Sequence, residues 1–388
     1  MECPIFKRLT PKVLPVNARA LLRIVTRCEQ QKYNEQDLAI FLNLEDHTQE
    51  IQDQRDQSQA DRISLSAKAV KEYSSTSLKE ESVALLGAKL ELNAFDLTNA
   101  LYDRVGLYLH PYAALMNHSC DYNCIVGFDG DELFVKAIRP IDKGEQIFIS
   151  YVDATNPYEV RQEELSTRYF FHCRCVKCER EKTDAPVQDS LAARASILTA
   201  KAADHGDDDI KHITDEMQLV LQRIPAHDII RYPYVSLRDE LVNLLLAAEY
   251  FRKAFIHAAI RYVYIDPTVY PREGHPIRQV HAWALAKLTV HLSQGAGEKK
   301  TGDDDDCLLE DSQMDLNIIL WSVLHRLWAN QSESLTVPTF KLLVRKAFEQ
   351  VHGAFAANGI CPNGLRGQVD REWGKLREML SIELDKRG

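Results

Sequence analysis

Four cysteine thiols have the residue type and the spacing of a metal site. Cys120 stands alone, and Cys173, Cys175 and Cys178 follow about fifty residues later in a C-x-C-x-x-C pattern. Four thiolates can close a tetrahedral Zn(Cys)4 site with zinc to sulfur distances of about 2.3 Å. Because protein groups would take every coordination position, such an ion is structural rather than catalytic. The alternative is four unliganded thiols, and a fifth thiol nearby, Cys124, is predicted to be buried rather than ligating.

The segments between these thiols are predicted to be short strands joined by turns. Alternating apolar residues and Gly-containing turns are typical of strands and hairpins. The strands are predicted at Val105–Leu109, Cys124–Phe128, Leu133–Ile138 and Ile147–Tyr151, with hairpin turns at Asp129-Gly130 and Lys143-Gly144. A Gly-rich phosphate loop and regular βαβ alternation are both missing from the sequence, which argues against a Rossmann-type fold.

Three motifs around the thiols resemble those of one family. They read NHSC at 117–120, GEQIFISY at 144–151 and FHCRCVKC at 171–178. In this order and spacing they resemble the SET motifs and post-SET cysteines of the SET and MYND domain (SMYD) family of protein lysine methyltransferases. The resemblance implies an α+β fold of small SET-type β-sheets with a helical insert and a zinc-bound post-SET segment. An all-α, tetratricopeptide-like carboxyl domain is expected to follow.

The resemblance also implies a cofactor, S-adenosyl-L-methionine, and residues that bind it. Asn117 and His118 occupy the positions of the family's cofactor-binding Asn-His pair, and Asn93 that of a further cofactor-binding Asn. Phe171 matches the aromatic residue that stacks on the adenine. A structural interpretation stays open for the amides, because Asn117 could cap a turn and Asn93 could be a hydrogen-bonded structural group.

A second cofactor-binding segment is implied inside the helical insert. Leu44-Glu45-Asp46-His47 resembles the family segment that reaches the adenosine from its far side. Glu45 is retained there, whereas His47 stands where the family usually has Asn. Both residues are included in the expected cofactor site.

Tyr151, at the end of the GEQIFISY motif, matches the catalytic tyrosine of SET enzymes. The expected reaction is displacement of a sulfonium-bound methyl group by a lysine ε-amine, which must first lose its proton from an unperturbed pKa of about 10.4. The protein would supply alignment and a desolvating channel that lowers the pKa of the amine. The structural alternative for Tyr151 is a core aromatic at a strand end.

The amino-terminal part predicts helices but starts unlike the family plan. Leu21, Ile24, Val25 and Cys28 recur at helical spacing and are expected on one helix face. The family places a Gly-x-Gly turn and a MYND finger before the helical insert, so Cys3 is interpreted as the last ligand of a finger whose other ligands are missing.

These interpretations divide the chain into five parts, and most of the carboxyl half has a helical pattern. An acidic stretch around Asp303–Asp306 predicts a disordered loop. The expected parts are an entry segment (1–16), a helical SET insert (17–92), a SET core (93–156), a post-SET zinc segment (157–180) and a helical carboxyl domain (190–388) with its acidic loop at 295–313.

Composition limits the partners. The net charge of −10 and pI of about 5.8 leave no basic stripe to neutralise phosphates, which argues against direct nucleic-acid binding and suits a basic peptide substrate. The nine cysteines, mostly scattered, predict reduced thiols. No signal peptide and no apolar run of about 18 residues is visible, so we expect a protein of the cytoplasm or nucleus without a membrane partner. The resemblance suggests a monomer.

Two functions follow from these observations. The first is S-adenosylmethionine-dependent methyl transfer to a lysine of a protein, histone or non-histone, with the carboxyl helices as one wall of the substrate cleft. The alternative is a non-catalytic, truncated SET protein that acts as a peptide-binding adaptor through its carboxyl helices. A third alternative is a purely structural zinc protein.

Overall fold

A computed structural model describes residues 5, 7, 14–183, 189–203, 210–295, 304–360 and 364–385. The chain divides into two compact units, residues 1–184 and 185–388. Cys3 and most of the expected entry segment lie outside the described residues. Across the described ranges, no helix is long and apolar enough to cross a membrane.

The first unit begins with five helices. Their bounds are α1 Val16–Glu29, α2 Glu35–Leu42, α3 Thr48–Asp53, α4 Ser58–Ser74 and α5 Glu80–Asn93. The face predicted for α1 is confirmed, because Leu21, Ile24 and Val25 are buried and Cys28 packs against the same core. α1, α4 and α5 pack on one another and form this core.

The polar stretch 50–61 is helical over most of its length. α3 and the start of α4 lie within it. An aspartate precedes each of these helices and turns the chain into it, since Asp46 accepts a hydrogen bond from the Thr48 N–H and Asp56 accepts one from the Ser58 N–H.

Three small two-stranded sheets follow. The strands are β1 Phe95–Thr98, β2 Arg104–Tyr108, β3 Asn117–His118, β4 Cys124–Asp129, β5 Glu132–Ala137 and β6 Phe148–Ile149. β1 pairs with β2 and β4 with β5 in antiparallel register, whereas β3 pairs with β6 in parallel. The predicted turn at Gly130 is confirmed, with a φ of +66° that favours glycine.

The predicted hairpin at Lys143-Gly144 is wrong. β6 does not pair with β5, the strand before it, but with β3, and only Phe148 and Ile149 of the predicted strand are paired. This non-local pairing brings the NHSC and GEQIFISY motifs side by side. The unit ends with α6 Tyr158–Tyr169 and α7 Val176–Glu181.

The second unit is helical throughout its described part. Its helices are α8 Ser190–Ala203, α9 Ile210–Arg223, α10 Tyr234–Ala247, α11 Phe251–Ile260, α12 Asp266–Val269, α13 Pro276–Ser293, α14 Asp304–Asp311, α15 Leu316–Ala329, α16 Pro338–Ala357 and α17 Arg366–Asp385. Each longer helix packs mainly on helices close to it in the chain, such as α8 on α9 and α10, and α15 on α13 and α16.

The expected acidic loop 295–313 is corrected in part. Residues 304–311 form helix α14, in which Leu309 is buried, while residues 296–303 lie outside the described residues. A run of acidic residues at a helix start is favoured by the helix dipole. Together the two units form an α+β fold with small sheets.

Candidate functional site

The parallel pair β3–β6 brings the NHSC motif to Tyr151. His118 lies opposite Ile149 in the ladder, and the Ser119 N–H donates to the Ile149 carbonyl at 3.0 Å. The Tyr151 N–H then donates to His118 Nδ1 at 3.0 Å. Because Nδ1 accepts this hydrogen bond, the neutral His118 ring carries its proton on Nε2. Burial, with a smaller effect of Arg161, lowers the pKa of His118 to about 4, so the ring is neutral at physiological pH.

The four thiols predicted as metal ligands meet at one point. The sulfur atoms of Cys120, Cys173, Cys175 and Cys178 all lie within 4.8 Å of one another, and the Cys120 and Cys178 sulfurs are 3.5 Å apart. Tetrahedral coordination at 2.3 Å requires sulfur atoms about 3.8 Å apart. The donor set and its geometry therefore fit a zinc ion. Cys124 is buried in β4 and does not belong to this group.

The thiols are surrounded by hydrogen-bond donors that the motifs do not reveal. Arg161 of α6 is fully buried and directs its guanidinium at Cys120 Sγ (3.3 Å) and Cys178 Sγ (3.8 Å). Its other contacts are the Asn156 carbonyl and Glu181, at 3.0 Å. Gln162 Nε2 donates to Cys178 Sγ at 3.3 Å. Such donors stabilise thiolates and fix the orientation of metal ligands.

The protonation of the thiols depends on these surroundings. Burial raises the pKa of Cys120. Burial also opposes ionisation of Cys175, but hydrogen bonds from the Cys178 backbone N–H, Cys173, Ser119 and the Asp121 N–H lower its pKa to about 7. The lowered pKa of Cys175 favours loss of its proton to a metal ion.

A cavity of about 480 Å³ lies beside the thiol cluster. This volume is within the range of small-molecule sites. Six of the seven residues expected to act at the cofactor or in catalysis line it: Glu45, His47, Asn93, Asn117, Tyr151 and Phe171. The seventh, His118, is buried against Tyr151 and Phe171, with ring centroids 5.3 and 5.8 Å away.

The insert segment is held against the cavity by two residues of α5. Asn93 Nδ2 donates to the carbonyls of Glu45 and Lys89, each at 2.8 Å. The buried Lys89 Nζ donates to the Leu44 carbonyl and to Asp46 Oδ2, at 3.0 Å for the carboxylate. Both Nδ2 protons of Asn93 are used, so the group that it can offer a ligand is the acceptor Oδ1.

His47 also lines the cavity. It has a left-handed φ of 44°, packs on Phe170 at 5.1 Å between ring centroids, and pairs with Glu50 at 3.3 Å. Phe170 is itself left-handed, with a φ of 61°, where it ends α6. This C-cap places Phe171 in the cavity wall.

Tyr151 and Tyr169 form an aromatic pair in the cavity, with centroids 5.0 Å apart. The Tyr151 hydroxyl donates to the Met116 carbonyl at 2.6 Å. Burial and the neighbouring Tyr169 raise the pKa of Tyr151 to about 12, so its phenol is neutral at physiological pH. No motif marked Tyr169, although an aromatic residue two positions before Phe171 is a signal that could have done so.

Comparisons with known proteins agree with this geometry. The SET domain family model matches residues 21–152. The chain is 31% identical over 188 residues to histone-lysine N-methyltransferase SMYD3 of Mus musculus. These residues cover 47% of this chain and 44% of that protein. It is 33% identical over 171 residues to the SET domain and MYND-type zinc finger protein 6 of Schizosaccharomyces pombe. These residues cover 44% of this chain and 34% of that protein.

A third relative is N-lysine methyltransferase SMYD2 of Homo sapiens, 36% identical over 104 residues, which cover 27% of this chain and 24% of that protein. The matches thus span less than half the length of each of these relatives. The chain thus has a SET domain match and is similar, over part of its length, to lysine methyltransferases of the SMYD family.

Proposed function

We propose that the protein transfers a methyl group from S-adenosyl-L-methionine to a lysine ε-amine of a protein substrate. The observation that carries the proposal is the hydroxyl of Tyr151 in the wall of the 480 Å³ cavity, donating to the Met116 carbonyl at 2.6 Å. Because its proton is engaged there, the Tyr151 oxygen remains an acceptor for an N–H of an incoming amine. That hydrogen bond would aim the nitrogen lone pair.

The residues of the cavity fit the proposed cofactor. Phe171 offers an aromatic face for the adenine. Asn93 Oδ1 and the Glu45 carboxylate offer acceptors for hydroxyl and amino groups of the cofactor. Asn117 also lines the cavity. His118 does not line it but accepts a hydrogen bond from the Tyr151 N–H. The bound cofactor supplies a methyl group on a positively charged sulfur.

The reaction is a single displacement. The lysine ε-ammonium first loses its proton to solvent, which the apolar walls favour by lowering the pKa of the amine. The nitrogen would then take the methyl group from the bound cofactor as the carbon to sulfur bond breaks, with S-adenosylhomocysteine as the leaving product. Tyr151 and the Met116 carbonyl orient the amine, and Tyr169 helps to exclude water beside it.

The metal contribution is structural. Zn²⁺ on Cys120, Cys173, Cys175 and Cys178 would have no open position for substrate. It would hold the segment that carries Phe171 and Tyr169 next to the NHSC motif.

The expected organisation forms part of the proposal. It comprises an insert at 17–92, a SET core at 93–156, a post-SET zinc segment at 157–180 and a tetratricopeptide-like domain at 190–388. A net charge of −10 suits a basic protein substrate rather than nucleic acid. We further propose a monomer of the cytoplasm or nucleus.

The substitution Tyr151→Phe tests the function. We expect transfer of labelled methyl to a lysine peptide or protein to fall by at least about 100-fold, because the amine loses its orienting acceptor. Calorimetric affinity for S-adenosylmethionine and the melting temperature should stay close to wild type. Tyr73→Phe, on the 37% exposed Tyr73 of α4, is the matched control and should retain full activity.

Unchanged turnover in Tyr151→Phe would reject the catalytic assignment. A wild-type chain that binds lysine peptides but shows no thermal shift with S-adenosylmethionine would instead support the non-catalytic adaptor, since only a ligand of the native state stabilises it.

A further inference from the structure

The segment 116–120 holds Tyr151 at two points. The Met116 carbonyl accepts a hydrogen bond from the Tyr151 hydroxyl at 2.6 Å, and His118 Nδ1 accepts one from the Tyr151 backbone N–H at 3.0 Å. The first contact fixes the tip of the side chain, and the second fixes the backbone from which the side chain extends. The position of the Tyr151 hydroxyl therefore depends on where this segment lies.

The other ring nitrogen of His118 faces the thiol cluster. His118 Nε2 lies 3.3 Å from Cys120 Sγ. Because Nδ1 accepts from the Tyr151 N–H, the neutral ring carries its proton on Nε2 and donates it to this sulfur. His118 is 9% exposed, so both hydrogen bonds are shielded from water. One imidazole thus joins the proposed metal ligand Cys120 to the backbone of Tyr151.

The strand pairing explains how one ring reaches both groups. His118 lies opposite Ile149 in the β3–β6 ladder, and Cys120 and Tyr151 each follow two residues after these paired positions. The His118 ring also packs on the rings of Tyr151 and Phe171, with centroids 5.3 and 5.8 Å away. A ring that only filled this space would need neither nitrogen. Packing and hydrogen bonding are therefore separable roles of His118.

We propose that His118 is a positioning residue that couples the metal site to Tyr151, with Nε2–H orienting the Cys120 thiolate and Nδ1 orienting the tyrosine. This role of the side chain goes beyond the cofactor contact that the family resemblance implies, and its kinetic part rests on the proposed function. A donor to a ligand sulfur fixes the orientation of that ligand and strengthens metal binding. An acceptor for the Tyr151 N–H keeps the tyrosine hydroxyl where the amine arrives.

Two substitutions separate the two contacts. The amide oxygen of asparagine can replace the acceptor Nδ1, but this side chain is too short to reach Cys120, whereas the amide nitrogen of glutamine can replace the donor Nε2. We expect His118→Asn to lower zinc affinity about tenfold and to leave hydrogen exchange of the Tyr151 N–H unchanged. The loss is limited because Arg161 Nε donates to the same sulfur at 3.3 Å.

His118→Gln should have the opposite effects. We expect zinc affinity close to wild type, but exchange of the Tyr151 N–H about tenfold faster, because its acceptor is lost. With zinc bound, kcat should fall about tenfold at an unchanged KM for S-adenosylmethionine, since only the orientation of Tyr151 is disturbed. Chelator competition, hydrogen exchange by NMR and steady-state kinetics on the full chain measure these quantities.

His110→Asn is the matched control. His110 is exposed, and its ring stacks on Tyr108 at 6.5 Å between centroids. This substitution should change neither zinc affinity nor exchange of the Tyr151 N–H. A measurement on the wild type needs no variant at all: the ¹⁵N shifts of the His118 ring should show the proton on Nε2.

Three results would overturn the coupling. A wild-type ring with its proton on Nδ1 could not accept from the Tyr151 N–H. His118→Phe keeps an aromatic ring and removes both nitrogens, so wild-type zinc affinity and Tyr151 exchange in this variant would show that His118 only packs. Equal loss of both quantities in His118→Asn and His118→Gln would show that the two nitrogens have no separate roles. A wild-type chain without methyl transfer would reject the proposed function alone, because zinc affinity and exchange would still decide the coupling.

Discussion

The environment of Tyr151 predicts the pH dependence of the reaction. Burial and Tyr169 raise the pKa of Tyr151 to about 12, so the phenol stays neutral up to that pH. The group that titrates below it is the substrate lysine, with a free pKa of about 10.4, which must be deprotonated to react. We expect kcat/KM to rise about tenfold per pH unit between pH 7 and 9. Initial rates with a lysine peptide measure this slope.

If Tyr151 ionised in the working range, the rate of the wild type would change slope between pH 8 and 10 while the residual rate of Tyr151→Phe would not. Parallel profiles for the two enzymes agree with a neutral phenol.

Arg161 is predicted to be as important to the metal site as a ligand. It is fully buried against Cys120, Cys178 and Glu181. Arg161→Met removes the charge that balances the thiolates, so zinc affinity should fall about 10- to 100-fold. The loss of one partner of a buried ion pair should also lower the free energy of unfolding by about 3 kcal/mol. Competition with a chromogenic chelator and urea unfolding measure the two effects.

The chain provides a close control for Arg161. Arg180 contacts the same Glu181 at 3.2 Å, but its side chain is 70% exposed. Arg180→Met should therefore change neither quantity beyond about 0.5 kcal/mol. Equal effects of the two substitutions would show that Glu181, and not the thiolates, is the important partner.

At the residue scale, the sequence predicted the groups that belong to motifs. The four ligand cysteines, Tyr151 and the cavity residues were named from local patterns, and the structure brings the four thiols together and places Tyr151 in the cavity wall. Arg161, Lys89 and Tyr169 were not found. Their importance depends on what they touch after folding, and an Arg in a helix or a buried Lys has no pattern of its own.

At the scale of elements, the strand pairing was the feature that local sequence could not supply. Three of the four predicted strands lie within one residue of their observed ends, whereas β1 and β3 were not predicted. The turn at Gly144 was interpreted as a hairpin, although β6 pairs in parallel with β3. A Gly with a φ of +92° indicates a turn but not which strands that turn joins.

The segment 43–47 is an element whose position depends on α5. Lys89 Nζ donates to the Leu44 carbonyl and to Asp46, and the lysine is buried. Lys89→Met keeps the apolar stem but removes both hydrogen bonds, so we expect a loss of about 2 kcal/mol of stability and weaker cofactor binding through Glu45 and His47. Faster hydrogen exchange of the amides at 43–47 is the measurement that reports it.

Lys68→Met is the control for this element. Lys68 is exposed on α4. Amide exchange at 43–47 should be the same as in the wild type. If Lys89→Met also left exchange in that segment unaltered, Asn93 alone would be sufficient to hold it.

At the scale of the whole molecule, the family resemblance implied an α+β fold, and periodicity predicted a helical carboxyl half. The helix at 304–311 was not predicted, because a run of acidic residues is typical of a solvated loop. The same residues are also favoured at a helix start, but the sequence alone does not show that a helix begins there. The apolar run 241–260 is likewise divided between α10 and α11 at Glu249, which has a φ of 63°. A glutamate does not indicate such a break in the sequence.

The proposed zinc site would cross-link distant parts of the first unit. Cys120 and Cys173 are about fifty residues apart, so a metal ion that joins them closes a long loop and removes entropy from the unfolded chain. A strong chelator should therefore increase hydrogen exchange around 117–123 and along 158–181. Exchange in helices α8–α17 should not change, which provides an internal control in the same sample.

Two cysteine variants separate metal loss from other effects of the chelator. Cys175→Ser removes a proposed ligand and should reproduce the chelated exchange pattern without chelator, together with loss of methyl transfer, because Phe171 and Tyr169 lose their support. Cys124→Ser, at a buried thiol outside the ligand group, should bind one zinc ion and keep protection at 158–181. Protection that persists in Cys175→Ser would mean that Arg161 and Gln162 hold this segment without a metal ion.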